Sequence, residues 1–415
     1  MRPIAGKGDG KEPFDARHQT SSNPRGLAKD GAALWSYGFR PFFLGGAIWA
    51  VAAMALWIAA LIHGLPLGGD YGPAQWHAHE MVFGFAPAVL AGFLLTAIPN
   101  WTGCLPVSGR ALIGLASVWA AGRAVMAGAA LTGPWLAALI DSAFLPLVLA
   151  MAAREIVAGR KWNDLKVLGG VAAIMAGNLG FHGAVLLGGH PGAWLRAAVA
   201  GYVLLVLIIG GRIIPSFTRN WLARQGAGAM PVAYDRFDMG VIALSALALA
   251  IWTLAPESRL AAFACAVAGV LNGARLVRWR GLAVRSESLL FVLHAAYAFV
   301  PLGFLALSAA GMGLLMPASA LHVLSVGVIA TMMLAVMTRA TRGHTGQALT
   351  ASRWTALSYM CLFAAALARP MADLTGLVGL MEASGLLWIA AFGLFVAEHL
   401  GMLLRVRRKA KAAMA

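Results

Sequence analysis

The sequence predicts an all-α polytopic membrane protein of twelve transmembrane helices with both termini in the cytoplasm. Three observations predict it. Of the 415 residues, 60% are hydrophobic and only 12% are charged, against about a quarter charged in a soluble domain. Apolar runs of about twenty residues, long enough to cross a hydrocarbon core, recur along the whole chain. The basic residues gather in alternate connections between those runs.

The runs lie at 41–62, 78–98, 111–131, 133–153, 165–187, 193–214, 237–255, 258–277, 288–309, 317–338, 354–375 and 385–404. Only the turn Thr132–Gly133–Pro134 divides the third from the fourth. Residues 1–34 are polar, Gly-rich and without an apolar core. They read as a disordered cytoplasmic tail rather than a cleaved signal peptide. The membrane domain spans 35–405, and 406–415 form a basic cytoplasmic tail.

The net charge of +16 would suit nucleic acid if it were clustered on one surface, but it is not. With the N-terminus inside and the runs alternating, all 32 basic residues except Arg123, Arg196, Arg259 and Arg369 fall on the inner side. That is the positive-inside pattern, so the charge reports topology, and the expected partner is the lipid bilayer. The three cysteines, Cys104, Cys265 and Cys361, form no Cys-x-x-Cys pair. They indicate neither a disulfide framework nor a thiolate metal site.

The inner ends of the second, sixth and tenth runs look alike: "LLTAIPNWTG", "IIPSFTRNWL" and "AVMTRATRGHTG". The second and tenth align without a gap. An offset of 243 pairs His79 with His322, Gly84 with Gly327, and Thr102–Gly103 with Thr345–Gly346. The sixth aligns at Pro99 and Pro215, an offset of 116, and places Leu195 opposite His79. A reading as three four-helix units is open, with a histidine at equal depth in the first and third.

An ionisable residue inside a span is a functional hypothesis by default. Near the outer face lie His63, His77, His79, His182, His190 and His322. His63 and His190 sit beside Gly and Pro and are expected in solvent. His79 and His322 open two outward-starting helices, where imidazoles on facing helices can clamp a haem edge-on or simply serve as satisfied core histidines. His77 precedes His79 by two residues, about 200° around a helix. The two rings therefore face opposite sides if both are helical. Glu80 is placed to orient a histidine or to carry protons. His77, His182 and Met81 form a conceivable copper set.

Near the inner face, His294 and the Glu398–His399 pair share a depth and admit a second ligand pair, a proton path or a plain interhelical contact. His344 is expected in solvent. Arg123 and Asp141 stand about eight residues either side of the third connection, so they read as a buried ion pair. Arg196 and Arg369 near the outer face suit either haem propionates or snorkelling to the interface.

The chain resembles the NnrS family of nitric-oxide-response haem–copper membrane proteins. The resemblance is carried by "SYGFRPFFLGG" (36–46), "WHAHEMVFGF" (76–85), "GGRIIPSFTRNWL" (210–222), "LHAAYAFVPLG" (293–303), "LHVLSVG" with "VMTRATRGHTG" (321–346), and "EHLGMLL" (398–404). It implies a twelve-helix inner-membrane protein with haem and copper, acting in relief of nitric oxide and nitrosative stress or in denitrification. Nitric oxide is the implied small ligand; no electron donor is implied, and no settled reaction.

A more distant likeness is to the catalytic subunit of haem-copper oxidases and nitric oxide reductases, which hold a low-spin haem by histidines on helices 2 and 10. This chain has no histidine in its sixth or seventh run, where that superfamily places metal ligands, and Ala320 stands where a high-spin haem ligand would be. On these grounds His79 and His322 are the expected haem-iron ligands. Arg196 and Arg369 are the expected haem-binding cations, and His77, His182, His294 and His399 are further metal candidates. The rival expectation is a polytopic transporter without haem, its histidines and buried charges lining a substrate path.

Overall fold

A computed structural model describes residues 32–405. The tails expected at 1–34 and 406–415 lie outside it, apart from residues 32–34, which lead into a short 3-10 helix, Ala33–Ser36. Among the described residues there are twelve helices long and apolar enough to span a bilayer and no strands. They are α1 (Phe39–His63), α2 (Gly69–Thr102), α3 (Gly109–Ala127), α4 (Pro134–Ala158), α5 (Trp162–Leu186), α6 (Gly192–Arg224), α7 (Arg236–Leu254), α8 (Arg259–Val277), α9 (Ser288–Gly311), α10 (Pro317–Thr345), α11 (Arg353–Thr375) and α12 (Val378–Leu404). The protein is a multi-pass α-helical membrane protein.

Local chemistry sets the ends. Gly64, Gly103, Gly346 and Gly376 end α1, α2, α10 and α11 in the left-handed conformation that side chains avoid. Gly133, at φ +79°, makes the expected corner between α3 and α4. Asp235 caps α7 through a reciprocal pair of hydrogen bonds with Asp238. Arg278 Nη2 donates to Asp235 at 2.5 Å and holds that carboxyl below its ordinary range.

Three helices are longer than the rest. α2, α6 and α10 have 34, 33 and 29 residues. They touch one another at the centre of the bundle, and the others pack around them. Their extra turns are polar, "GPAQWHAH" at the start of α2 and "SFTRNWLAR" at the end of α6. At the start of α2 Trp76 and His79 are buried against protein, whereas the polar side chains Ser216, Arg219, Asn220 and Arg224 at the end of α6 are exposed.

Each central helix also contains a π-helix: Glu80–Phe85, Val206–Gly210 and Val323–Ala330. A π turn widens the helix and disturbs the i→i−4 ladder. In all three a side chain takes up a carbonyl at or within that turn. Tyr202 Oη donates to Val82 O (3.0 Å) and Trp119 Nε1 to Gly84 O (2.9 Å). Arg275 Nη1 donates to Leu207 O (3.1 Å), and Thr331 Oγ1 to Gly327 O. His79 and His322 each stand immediately before such a π-helix. In α6 the π-helix sits elsewhere: Pro215 follows Val206 by 9 residues, whereas Pro99 follows Glu80 by 19.

Candidate metal centre

α2 opens with a 3-10 turn, Gly69–Tyr71, and is α-helical from Gly72, which makes both His77 and His79 helical, so the two rings point to opposite sides of α2. Two different polar clusters result.

The first cluster gathers α1 to α5. His79 Nδ1 lies 2.9 Å from Glu80 Oε1. Its Nε2 lies 3.1 Å from Asn178 Oδ1, 3.2 Å from Asp141 Oδ2 and 3.3 Å from His182 Nε2. His182 Nε2 is 2.9 Å from the same Asp141 oxygen, and its Nδ1 is 2.7 Å from Tyr71 Oη. Asn178 Nδ2 donates to Asp141 Oδ2 at 3.0 Å. Arg123 binds both carboxylates, donating to Glu80 Oε2 at 2.5 Å and to Asp141 Oδ1. Trp49 Nε1 donates to Glu80 Oε2 at 2.7 Å. None of His79, Glu80, Asn178, Asp141, His182 or Arg123 is more than 4% exposed.

This network has more acceptors than donors at its centre. Glu80 claims the Nδ1 proton of His79, so a neutral ring turns a lone pair toward the oxygens of Asn178 and Asp141. A cation between them relieves that conflict. His79, Asp141 and His182 offer ligand atoms all within 4.8 Å of one another, and among the described residues no other His, Cys, Asp or Glu group does so. Metal–imidazole and metal–carboxylate bonds of about 2.0–2.1 Å place neighbouring tetrahedral ligands roughly 3.3 Å apart. The spacings here come close to that. Glu80 and Tyr71 behind the two imidazoles are the outer partners that fix ring orientation in metal sites.

The expected Arg123–Asp141 pair is present, with Glu80 as a third member. Sequence reasoning missed Asp141 as a ligand and missed Asn178 and Tyr71 altogether. One signal was available: Asn178 and His182 are four residues apart, on one face of α5.

The second cluster lies on the other side of α2. The His77 ring stacks on Trp57, centroids 4.7 Å apart. It is close enough to His322 and Arg369 to interact with their charges. His322 Nδ1 lies 2.7 Å from Ala318 O, which leaves its Nε2 as the ligating atom. Arg369 Nη1 is 2.9 Å from Asp373 Oδ2. His77 Nδ1 and Arg369 Nη1 are buried without an aligned hydrogen bond. Among the described residues no hydrogen bond or ring contact joins His79 to His322. His79 engages His182, and the histidine sharing His322's surroundings is His77.

The remaining candidates stand apart from both clusters. Arg196 gives Nε and Nη2 to Thr253 O at the end of α7 (3.2 and 3.1 Å). His294 Nε2 lies 2.8 Å from Thr218 Oγ1, and His399 Nδ1 lies 3.0 Å from Phe395 O. Glu398 pairs with Arg342 (2.5 Å) and accepts from Thr355 (2.6 Å) rather than from either histidine. His63 and His190 are exposed as expected. His344 is not simply solvated, for its ring packs at 5.4 Å against both Tyr37 and Phe39.

The family model described as NnrS protein matches residues 33–407. The chain belongs to the NnrS family. No curated protein matches it. For this NnrS-family chain, the matched span takes in every helix and both histidine clusters.

Proposed function

We propose that this protein binds haem and copper in the bacterial inner (cytoplasmic) membrane and acts in the response to nitric oxide and nitrosative stress or in denitrification. The observation that carries the reading is the NnrS match over nearly the whole chain. The donor chemistry fits both groups. Two imidazoles and a carboxylate, each braced from behind, suit a copper ion at His79, Asp141 and His182. His322 with its Nδ1 tied to a carbonyl, His77 with an unpartnered Nδ1, and Arg369 nearby suit a haem edge between α2 and α10.

Haem iron and copper would supply one-electron chemistry and a place for a small gas to bind. The protein's own groups do the rest. Glu80 and Tyr71 hold two imidazoles at fixed angles. Arg123 neutralises part of the carboxylate charge, so that the site keeps one excess negative charge for a cation. The surrounding rings of Phe83 and Phe181, 5.2 and 5.3 Å from the His79 ring, keep water out. The transporter alternative gains little from this arrangement, because Arg123 is tied to Glu80 and Asp141 rather than facing a substrate path.

The test is a visible absorption spectrum and metal analysis of the purified full chain. A haem spectrum with bound copper is expected. Protein that folds in the membrane and carries neither would overturn the proposal.

A further inference from the structure

We propose that Tyr202 of α6 is a positioning residue for the candidate metal centre: its hydroxyl fixes where the π turn of α2 falls, and so the aim of His79. The inference rests on the metal reading for what His79 holds, though not for the aim of the ring.

The sequence creates the need for that hydroxyl. Pro87 has no N–H, and a proline ring crowds the carbonyl four residues before it. At the end of the π-helix Glu80–Phe85 the N–H of Ala86 is given to Met81 O. The donors four and five residues after Val82 belong to Ala86 and Pro87. One is taken and the other does not exist, so the helix has no donor for Val82 O. A buried carbonyl without a partner is costly, and Val82 is buried. Tyr202 Oη donates to it at 3.0 Å from a side chain that is itself buried.

The consequence reaches His79. Without the hydroxyl, the donor nearest to Val82 O is the N–H of Ala86, which can reach it by leaving Met81 O. Each N–H before it then steps forward by one carbonyl, and the wide turn moves toward the mouth of α2. A residue that the turn passes is swung by about 100° around the helix axis. Glu80 and His79 are the first residues on that route. The ligand atoms of the centre come from α2, α4 and α5, yet α6 holds one of them in place through the backbone of its neighbour. Trp119 Nε1, on Gly84 O at 2.9 Å, braces the far end of the same turn.

Copper(II) titrated into the purified full chain tests this, with the electron paramagnetic resonance spectrum as the signature of the site. Y202F is expected to weaken binding about 10–100-fold, the usual loss when an outer partner of a metal ligand is removed, and to change the spectrum. Y297F removes an equally buried hydroxyl, one bonded to Arg275 and Asn272, and should leave both unaltered. P87A returns an N–H to the helix, so Y202F should have no further effect in that background. Y202F and Y297F acting alike, or Y202F acting equally with and without P87A, overturns the proposal. If the wild type takes up no copper, the metal reading falls, and structures of the metal-free wild type and Y202F decide this one. His79 Nε2 should then draw away from Asp141 Oδ2, 3.2 Å distant in the native chain, by more than about 1 Å, the displacement that loosens a built site. An unmoved ring overturns the proposal.

Discussion

Tyr71 Oη lies 2.7 Å from Nδ1 of His182, and this contact turns the opposite edge of the imidazole onto Asp141. A residue outside the candidate ligand set thus fixes the direction of a candidate ligand. If His182 holds a metal, Tyr71→Phe should weaken binding about 10–100-fold while leaving the fold intact. Competition with a chelator of known affinity measures it. An unchanged affinity would mean that the ring is oriented by something else.

The three-way contact of Arg123 with Glu80 and Asp141 predicts strong coupling. Arg123→Ala should destabilise the protein by about 3–5 kcal/mol, because it leaves carboxylates buried and unpaired. Arg123→Ala with Asp141→Ala should cost less than the sum of the single changes. Thermal unfolding of the four variants in detergent gives the cycle, and strict additivity would remove the pairing.

The two faces of α2 predict separable phenotypes. His322→Ala and His77→Ala should abolish or convert a low-spin haem spectrum. His79→Ala and His182→Ala should lower copper content and leave that spectrum in place. If His79→Ala removes haem and His77→Ala does not, then His79 is the partner of His322 after all.

Topology is open to a direct check. Reporter fusions at Gly68 and Ala415 should report opposite sides of the membrane, with Ala415 inside, since the basic residues then gather in the cytoplasm. Reporting from one side would contradict an even number of crossings with both ends inside.

Two glycines can be tested against one control. A Cβ on Gly211 would stand 2.1 Å from Arg275 Nη2, and one on Gly84 would stand 2.3 Å from Arg123 Nη1. Both guanidinium groups are held by several bonds and cannot swing away. Gly211→Ala and Gly84→Ala should each cost about 1–3 kcal/mol, the usual penalty of overpacking. Gly393, inside α12 with nothing within 4 Å of its Cβ direction, should gain roughly 0.5–1 kcal/mol as alanine. Equal melting temperatures for all three would show that the guanidinium groups yield.

Helix number was legible because lipid imposes one rule, twenty apolar residues per crossing, and the chain obeys it twelve times. The Arg123–Asp141 pair was legible because a hairpin with a known turn fixes depth. The true length of α2, α6 and α10 was not, since turns such as Trp76–Glu80 carry polar groups that only protein neighbours can satisfy. The role of Asp141 toward His79 and His182 was also hidden. It depends on how α2, α4 and α5 rotate about their axes, and hydropathy says nothing about rotation. Nor do the π-helices leave any mark in the apolar pattern of Val206–Gly210 or Val323–Ala330.

Those π-helices have a consequence for how such a chain can change. A π turn is an α-helix with one residue too many, so each is an indexing step between two helical segments. Everything before Glu80 is set about 100° out of phase with the regular course of everything after Phe85. The mouth of α2, with its two histidines, and the body of α2, with its membrane packing, can therefore be tuned separately. Deleting one residue between Glu80 and Phe85 would reset the phase. His79 would be turned away from His182 while Pro87 to Thr102 kept their neighbours.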